Sequence, residues 1–129
     1  MEGPVHAMGT KILDSDERFS LETLCAFWCE MGLFDKAWPL LLVLEKNGAP
    51  RYWCLLTRLL CLFEQGRHEE CLALTEGLLP DGEKDIEDHD EGARLAECLK
   101  MRARALYALG RHNEASALAQ EIVRAGRIG

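Results

Sequence analysis

The chain has little proline, few β-branched residues and no long apolar run, and each shortage excludes something. Only 4 of its 129 residues are Pro, so a proline-rich extended linker is ruled out. Val and Ile are scarce against an excess of Leu and Ala. That balance argues against a sheet protein and favours helix. The longest unbroken apolar run, residues 24–29, has six residues, and residues 40–44 form another of five. A membrane span needs about 20, so membrane insertion is not expected. Residues 1–12 hold no continuous apolar stretch of the kind a secretory leader requires. Cys-x-x-Cys pairs are absent, which removes the usual zinc signature. Glycines at phosphate-loop spacing are absent as well.

Basic excess is also missing. Fifteen Lys and Arg face twenty-two Asp and Glu, for a formal net charge of −7. Such a chain is repelled by nucleic acid and by anionic lipid, so neither is an expected partner. Much of the charge sits in residues 81–91, where seven acidic residues accompany one Lys.

What is present is enough apolar material for one core. The chain is 48% hydrophobic and of single-domain length. A chain this long can bury about two-thirds of its surface on folding. Six cysteines, Cys25, Cys29, Cys54, Cys61, Cys71 and Cys98, fall mostly inside apolar helical patterns rather than in loops. They read as reduced core residues rather than as a disulfide framework, which fits a cytoplasmic protein.

Three stretches resemble one another: MGLFDKA at 31–37, QGRHEEC at 65–71 and LGRHNEA at 109–115. Each has Gly, then a large or ring-bearing residue two places on (Phe34, His68, His112), then a small residue five places on (Ala37, Cys71, Ala115). Gly66 follows Gly32 by 34 residues and Gly110 follows Gly66 by 44. A left-handed Gly ending an apolar helix explains the first position. Close packing of a second helix on the first explains the small residue. Asp35 and Asn113 are expected as N-caps or early-turn residues of the helices that follow. The preceding helices carry core stripes at Leu21, Leu24, Cys25 and Trp28, then Leu55, Leu59 and Leu62, then Leu99, Ala103 and Leu106. The second helices continue with Leu41 and Leu44, Leu74 and Leu78, and Leu118 and Ile122.

On these residues the chain resembles the tetratricopeptide family, whose helix–turn–helix unit repeats every 34 residues. The resemblance runs from about residue 19 to 125. It implies an all-α fold of three such repeats stacked as a short right-handed superhelix. The expected layout is an arm at 1–17 and one domain at 18–125. Its repeats fall at 18–50, 51–79 and 93–125, and an acidic insertion at 80–92 accounts for the longer second interval. Two positions depart from the pattern. Leu59 stands where a small residue is expected, and Pro39 lies inside the first repeat's second helix, near its first turn.

The resemblance also implies a concave face lined by the first helix of each repeat. Positions offset from the core stripes place Phe19, Glu22, Ala26, Cys29 and Glu30 there, then Trp53, Leu56, Leu60, Phe63 and Glu64, then Glu97, Lys100, Arg104 and Tyr107. Between residues 52 and 63 only Thr57 and Arg58 interrupt the apolar sequence. With Leu55, Leu59 and Leu62 serving the core, Trp53, Leu56, Leu60 and Phe63 are left for a partner. Their burial would release roughly 6–12 kcal/mol gross, less the costs of association. An external apolar helix or extended segment, a second copy of the chain, or the arm at 1–17 would each serve as cover. Lys100 and Arg104, one turn apart, are candidates to pair with an acidic group on the ligand.

No catalytic, metal or cofactor site emerges. Cys25 and Cys29 share a helix face with no His near them, and His68 and His112 repeat because the turn repeats. In residues 81–92 a calcium loop with Gly92 sixth would put His89 third and Cys98 twelfth, and that register fails.

In size, acidity, repeat number and apolar groove the chain is similar to the small tetratricopeptide chaperones of bacterial type III secretion. That similarity implies a cytoplasmic, non-enzymatic protein shielding an apolar helix of a secretion component. The alternatives are a general tetratricopeptide adaptor and a self-associating structural protein, a homodimer among its forms. An adaptor clamping the C-terminal carboxylate of a heat-shock chaperone would need Lys and Asn in the first two repeats. The inward positions here read Glu22, Ala26, Leu56 and Leu60.

Overall fold

The computed structural model describes residues 13–80 and 89–126. They form six α-helices and, among the described residues, no strand: α1 (Ser15–Glu30), α2 (Phe34–Lys46), α3 (Arg51–Glu64), α4 (His68–Thr75), α5 (His89–Ala108) and α6 (His112–Arg124). No helix among the described residues is long and apolar enough to cross a membrane.

Local chemistry sets the helix ends. Asp14 opens α1 with a capping box: its carboxylate accepts from the Glu17 amide at 2.8 Å, and Glu17 accepts from the Asp14 amide at 3.0 Å. Residues 15–17, expected in the arm, are therefore the first turn of α1; the arm's residues 1–12 lie outside the described chain. Leu13 is tied down as well, its amide donating to Asn47 Oδ1 at 3.2 Å.

The turns after α1, α3 and α5 are copies of one another. Gly32, Gly66 and Gly110 have φ of 76°, 75° and 82°. The amides of Leu33, Arg67 and Arg111 reach back to the carbonyls of Trp28, Leu62 and Leu106 at 2.8–2.9 Å. These are the reversed-chain hydrogen bonds that close a helix on a left-handed residue. Of the two roles expected for Asp35 and Asn113, N-cap or early-turn residue, they fill the second. Leu33, Arg67 and Arg111 occupy the N-cap positions and make no side-chain cap bond, while Asp35 and Asn113 lie within the first turns. Arg67 and Arg111 instead each hold a bidentate ion pair with the Glu three residues on, Glu70 at 2.7 Å and Glu114 at 2.8 Å.

Two boundaries differ from the sequence expectation. Helix α4, expected as the second helix of the second repeat, has 8 residues against 13 in α2 and in α6. It stops at Thr75, because Gly77 turns left-handed with φ of 87°. Leu78 thus lies beyond the helix. The Arg102 guanidinium of α5 closes the end, donating to the Leu72 carbonyl and to Thr75 Oγ1, both at 2.9 Å. The acidic insertion is shorter than its composition implied. Its last residues, from His89, already belong to α5, and residues 81–88 lie outside the described chain. Pro39 is accommodated within a continuous α2.

Contacts run between neighbours. Helices α1, α3 and α5 pack in sequence, α1 on α3 and α3 on α5. α2 packs on α1 and α3, α4 on α3 and α5, and α6 on α5. One core joins α1, α2 and α3 through Cys25, Cys29, Ala37, Leu41, Leu44, Cys54 and Cys61. The next joins α3 to α6 through Leu59, Leu62, Cys71, Cys98, Met101, Leu106 and Ala115. A third gathers Tyr52, Leu95, Leu99 and Ile122. The small residues Ala37, Cys71 and Ala115 are buried where close helix approach requires them. All six cysteines are buried and free. Leu24 and Leu74, both assigned to core stripes, are instead 37% exposed.

Candidate functional site: the groove between α1 and α3

Packing α1 against α3 leaves a groove along their shared face. Two adjoining cavities make it up. One, of about 320 Å³, is lined by Ala26, Cys29 and Glu30 of α1 and by Thr57, Leu60 and Glu64 of α3. The other, of about 390 Å³, is lined by Phe19, Glu22, Thr23, Ala26, Phe27 and Glu30 of α1, Trp53 of α3 and Arg94 of α5. Ala26 and Glu30 belong to both. The small side chain of Ala26 leaves the space that joins them.

Eight of the sequence-predicted positions therefore come together: Phe19, Glu22, Ala26, Cys29, Glu30, Trp53, Leu60 and Glu64. Their exposure is uneven. Phe19 is 69% exposed at one end and Leu60 40% exposed in the middle, while Cys29 is nearly buried in the floor. Trp53 is half-buried and leans on the α1–α3 core. Thr57, the polar interruption in α3, is satisfied internally, its hydroxyl donating to the Trp53 carbonyl at 2.8 Å.

Leu56 and Phe63 do not belong to this groove. Both are half-buried and pack on the core shared by α3 and α5, so the expectation that they lack intramolecular partners is corrected. The reason is the closeness of α5: it covers the α3 face that the sequence left open. The Arg104 guanidinium lies 4.8 Å over the Phe63 ring, a cation–π contact. Lys100 is also engaged, with Glu97 at 2.7 Å. Tyr107 is exposed and stacks on His112 at 4.1 Å between ring centroids. Phe63 meets His68 in the equivalent place at 4.7 Å. Both pairs span five residues across a glycine turn, so each ring pair bridges two consecutive helices.

Thr23, Phe27 and Arg94 were missed. Thr23 and Phe27 follow Phe19 at four-residue steps, a signal the sequence contained. Arg94 is one turn before Glu97 but was placed at the edge of the insertion, because α5 begins earlier than expected.

The groove's charge is one-sided. Glu22 pairs with Arg18 at 3.3 Å, and Arg94 pairs with Glu91 at 3.4 Å. Glu30 and Glu64 make no ion pair among the described residues, and they flank Leu60 and Ala26. The result is an apolar floor between acidic rims.

Beneath the floor three thiols meet. Cys29 Sγ lies 3.1 Å from Cys61 Sγ, and Cys25 approaches from one turn back on α1 while reaching the Ala37 carbonyl at 3.5 Å. The Cys25 and Cys61 thiols hold Cys29 below the ordinary thiol range. Their contact with Cys29, and then burial, push Cys25 and Cys61 above it. The other three cysteines each lie near a backbone carbonyl: Cys54 at Ala49, Cys71 at Leu59 and Cys98 at Tyr52, 3.7–3.8 Å away. Among the described residues no three His, Cys, Asp or Glu side chains are placed to share a metal ion.

Comparison with protein-family models, with curated proteins and with solved structures found no match to the chain.

Proposed function

We propose that the chain is a protein-binding module of three tetratricopeptide-like repeats that holds an apolar segment of another protein in the α1–α3 groove. The observation that carries this reading is the groove itself: an apolar floor at Ala26, Leu60 and Trp53 between Glu30 and Glu64, which make no ion pair among the described residues. Water-exposed apolar surface of this kind gains by burial. The acidic rim favours a segment with Lys or Arg flanking its apolar centre. Lys100 and Arg104, engaged with Glu97 and Phe63, take no part in this reading. The repeat assignment is supported by three equivalent glycine turns and by helices that touch only near neighbours in sequence. Such an array winds as a short superhelix with its first helices inward.

Within that class the reading is a cytoplasmic, non-enzymatic chaperone for a type III secretion component. Small size, net acidity, three repeats and an apolar groove support it. Capture from the native host tests it directly. The chain should retain an export or needle component, and the variants Leu60→Glu and Ala26→Glu should lose that partner while keeping their helical circular dichroism. Retention of the same partner by both variants would refute the groove. A partner unrelated to secretion would leave the general adaptor.

A second reading, self-association, is favoured by a separate feature. Leu24, Met31 and Leu33 are exposed along the second half of α1 and the turn after it, Met31 by 60%. End units of repeat arrays ordinarily present polar faces. Sedimentation over a range of concentrations tests this: a monomer throughout would eliminate it.

A further inference from the structure

We propose that Cys29 and Cys61 form a reversible disulfide under hydrogen peroxide, stapling α1 to α3 beneath the groove. The two sulfurs are 3.1 Å apart, roughly 1 Å beyond the ~2.05 Å of a formed bond. They come from different helices, so closing that gap takes a small approach of two packed elements. Both helices are already held together through the surrounding core of Cys25, Ala37, Leu41 and Cys54.

Access is built in on one side only. Cys29 lines the 320 Å³ cavity and keeps 8% of its surface exposed, whereas Cys61 is fully buried. An oxidant as small as hydrogen peroxide therefore meets Cys29 first. Cys29 is also the thiol its neighbours hold in the more acidic state, and the thiolate is the reactive form. The chemistry balances in two steps. Cys29 Sγ, having given up its proton, attacks one peroxide oxygen. The O–O bond breaks, Cys29 becomes a sulfenic acid, and the departing hydroxide takes up the released proton as water. Cys61 Sγ then attacks the Cys29 sulfur. The S–O bond breaks, the S–S bond forms, and the Cys61 proton leaves with the hydroxyl as a second water. Two thiols are oxidised by two electrons in all, and one peroxide is reduced to two waters. A dithiol reverses the bond by exchange.

The other cysteines serve as an internal control. Cys54, Cys71 and Cys98 are buried, and each contacts a backbone carbonyl. Cys25 is beside Cys29 but on the same helix, one turn away. The specificity belongs to the 29–61 pair, and it does not depend on what the groove binds.

The test uses the full, folded chain treated with hydrogen peroxide and then alkylated. Mass spectrometry should find a loss of two hydrogens, reversed by dithiothreitol. Tryptic digestion should join the peptide 19–36 to the peptide 59–67. Because the first peptide holds both Cys25 and Cys29, the variants assign the bond: Cys25→Ser keeps the link, and Cys29→Ser loses it. In Cys61→Ser the reaction should halt at a sulfenic acid on Cys29, which dimedone traps. A folded chain whose thiols all remain alkylatable, a link through any other pair, or dimedone labelling that spares Cys29 would overturn the proposal.

Discussion

The carboxylate of Glu91 accepts a hydrogen bond from the backbone amide of Tyr52 at 3.0 Å, across 39 residues of chain. Tyr52 sits in the first turn of α3, whose N-cap is Pro50 and offers no side-chain bond. A helix start leaves amides without intrahelical partners and carries partial positive charge. Glu91, itself in the first turn of α5, supplies the acceptor from that helix. The acidic insertion thus ends in a residue that closes the helix bearing Trp53 and Leu60.

Replacing that acceptor should be felt in the fold. Glu91→Ala should cost about 1–2 kcal/mol, read as a lower urea midpoint at unchanged slope. Glu91→Gln, which keeps an acceptor oxygen, should cost less. Equal stability of all three chains would show that the contact contributes nothing.

The glycine turns make a separate prediction. A Cβ at Gly66 or Gly110 would meet nothing within 4 Å, so backbone conformation alone resists substitution. Gly66→Ala and Gly110→Ala should each lose about 1–2 kcal/mol, and Gly66→Asn should lose less. Thermal melts of the three variants separate this strain from any packing effect.

Arg102 is expected to hold the short helix in place. Its bonds to Leu72 and Thr75 satisfy carbonyl and hydroxyl oxygens at the end of α4. Arg102→Met keeps much of the stem and removes the charge. It should cost about 1–3 kcal/mol and speed amide exchange in α4 more than in α6. Uniform change across both helices would argue against a local role.

Buried thiols give the pH dependence. Burial, the main cause, pushes Cys54 and Cys98 up from 9.0 to about 12. A folded-state value above the unfolded one means stability present in full below pH 9 and lost as pH rises toward 12. Cys98→Ala should therefore flatten the alkaline side of a stability–pH profile. An unaltered alkaline slope would contradict the assignment.

How much of this was legible in the sequence follows from what each signal depends on. The turns at Gly32, Gly66 and Gly110 were readable because left-handed helix ends are local. So was the groove wall at Phe19, Ala26 and Cys29, since one helix, α1, supplies all three. Leu56 and Phe63 could not be placed, because the depth to which α5 covers α3 is a tertiary quantity. Leu24 failed for the opposite reason: among the described residues no further helix packs on that side of α1. The Glu91–Tyr52 and Arg102–Leu72 bonds join distant segments, and no periodicity marks them. The thiol cluster was half visible: Cys25 and Cys29 share a helix face in the sequence, but Cys61 joins them only through packing.

The central claim is that a partner's apolar segment lies in the α1–α3 groove, and site-specific photo-crosslinking in the native host tests it most directly. A photoreactive residue would replace Leu60 in one chain and Val123 in another; Val123 is 58% exposed and sits in a separate cavity on α6. The account predicts a discrete adduct from position 60, abolished by adding Ala26→Glu, and none from position 123. An adduct at 123 with none at 60, or one at 60 that Ala26→Glu leaves intact, would contradict it.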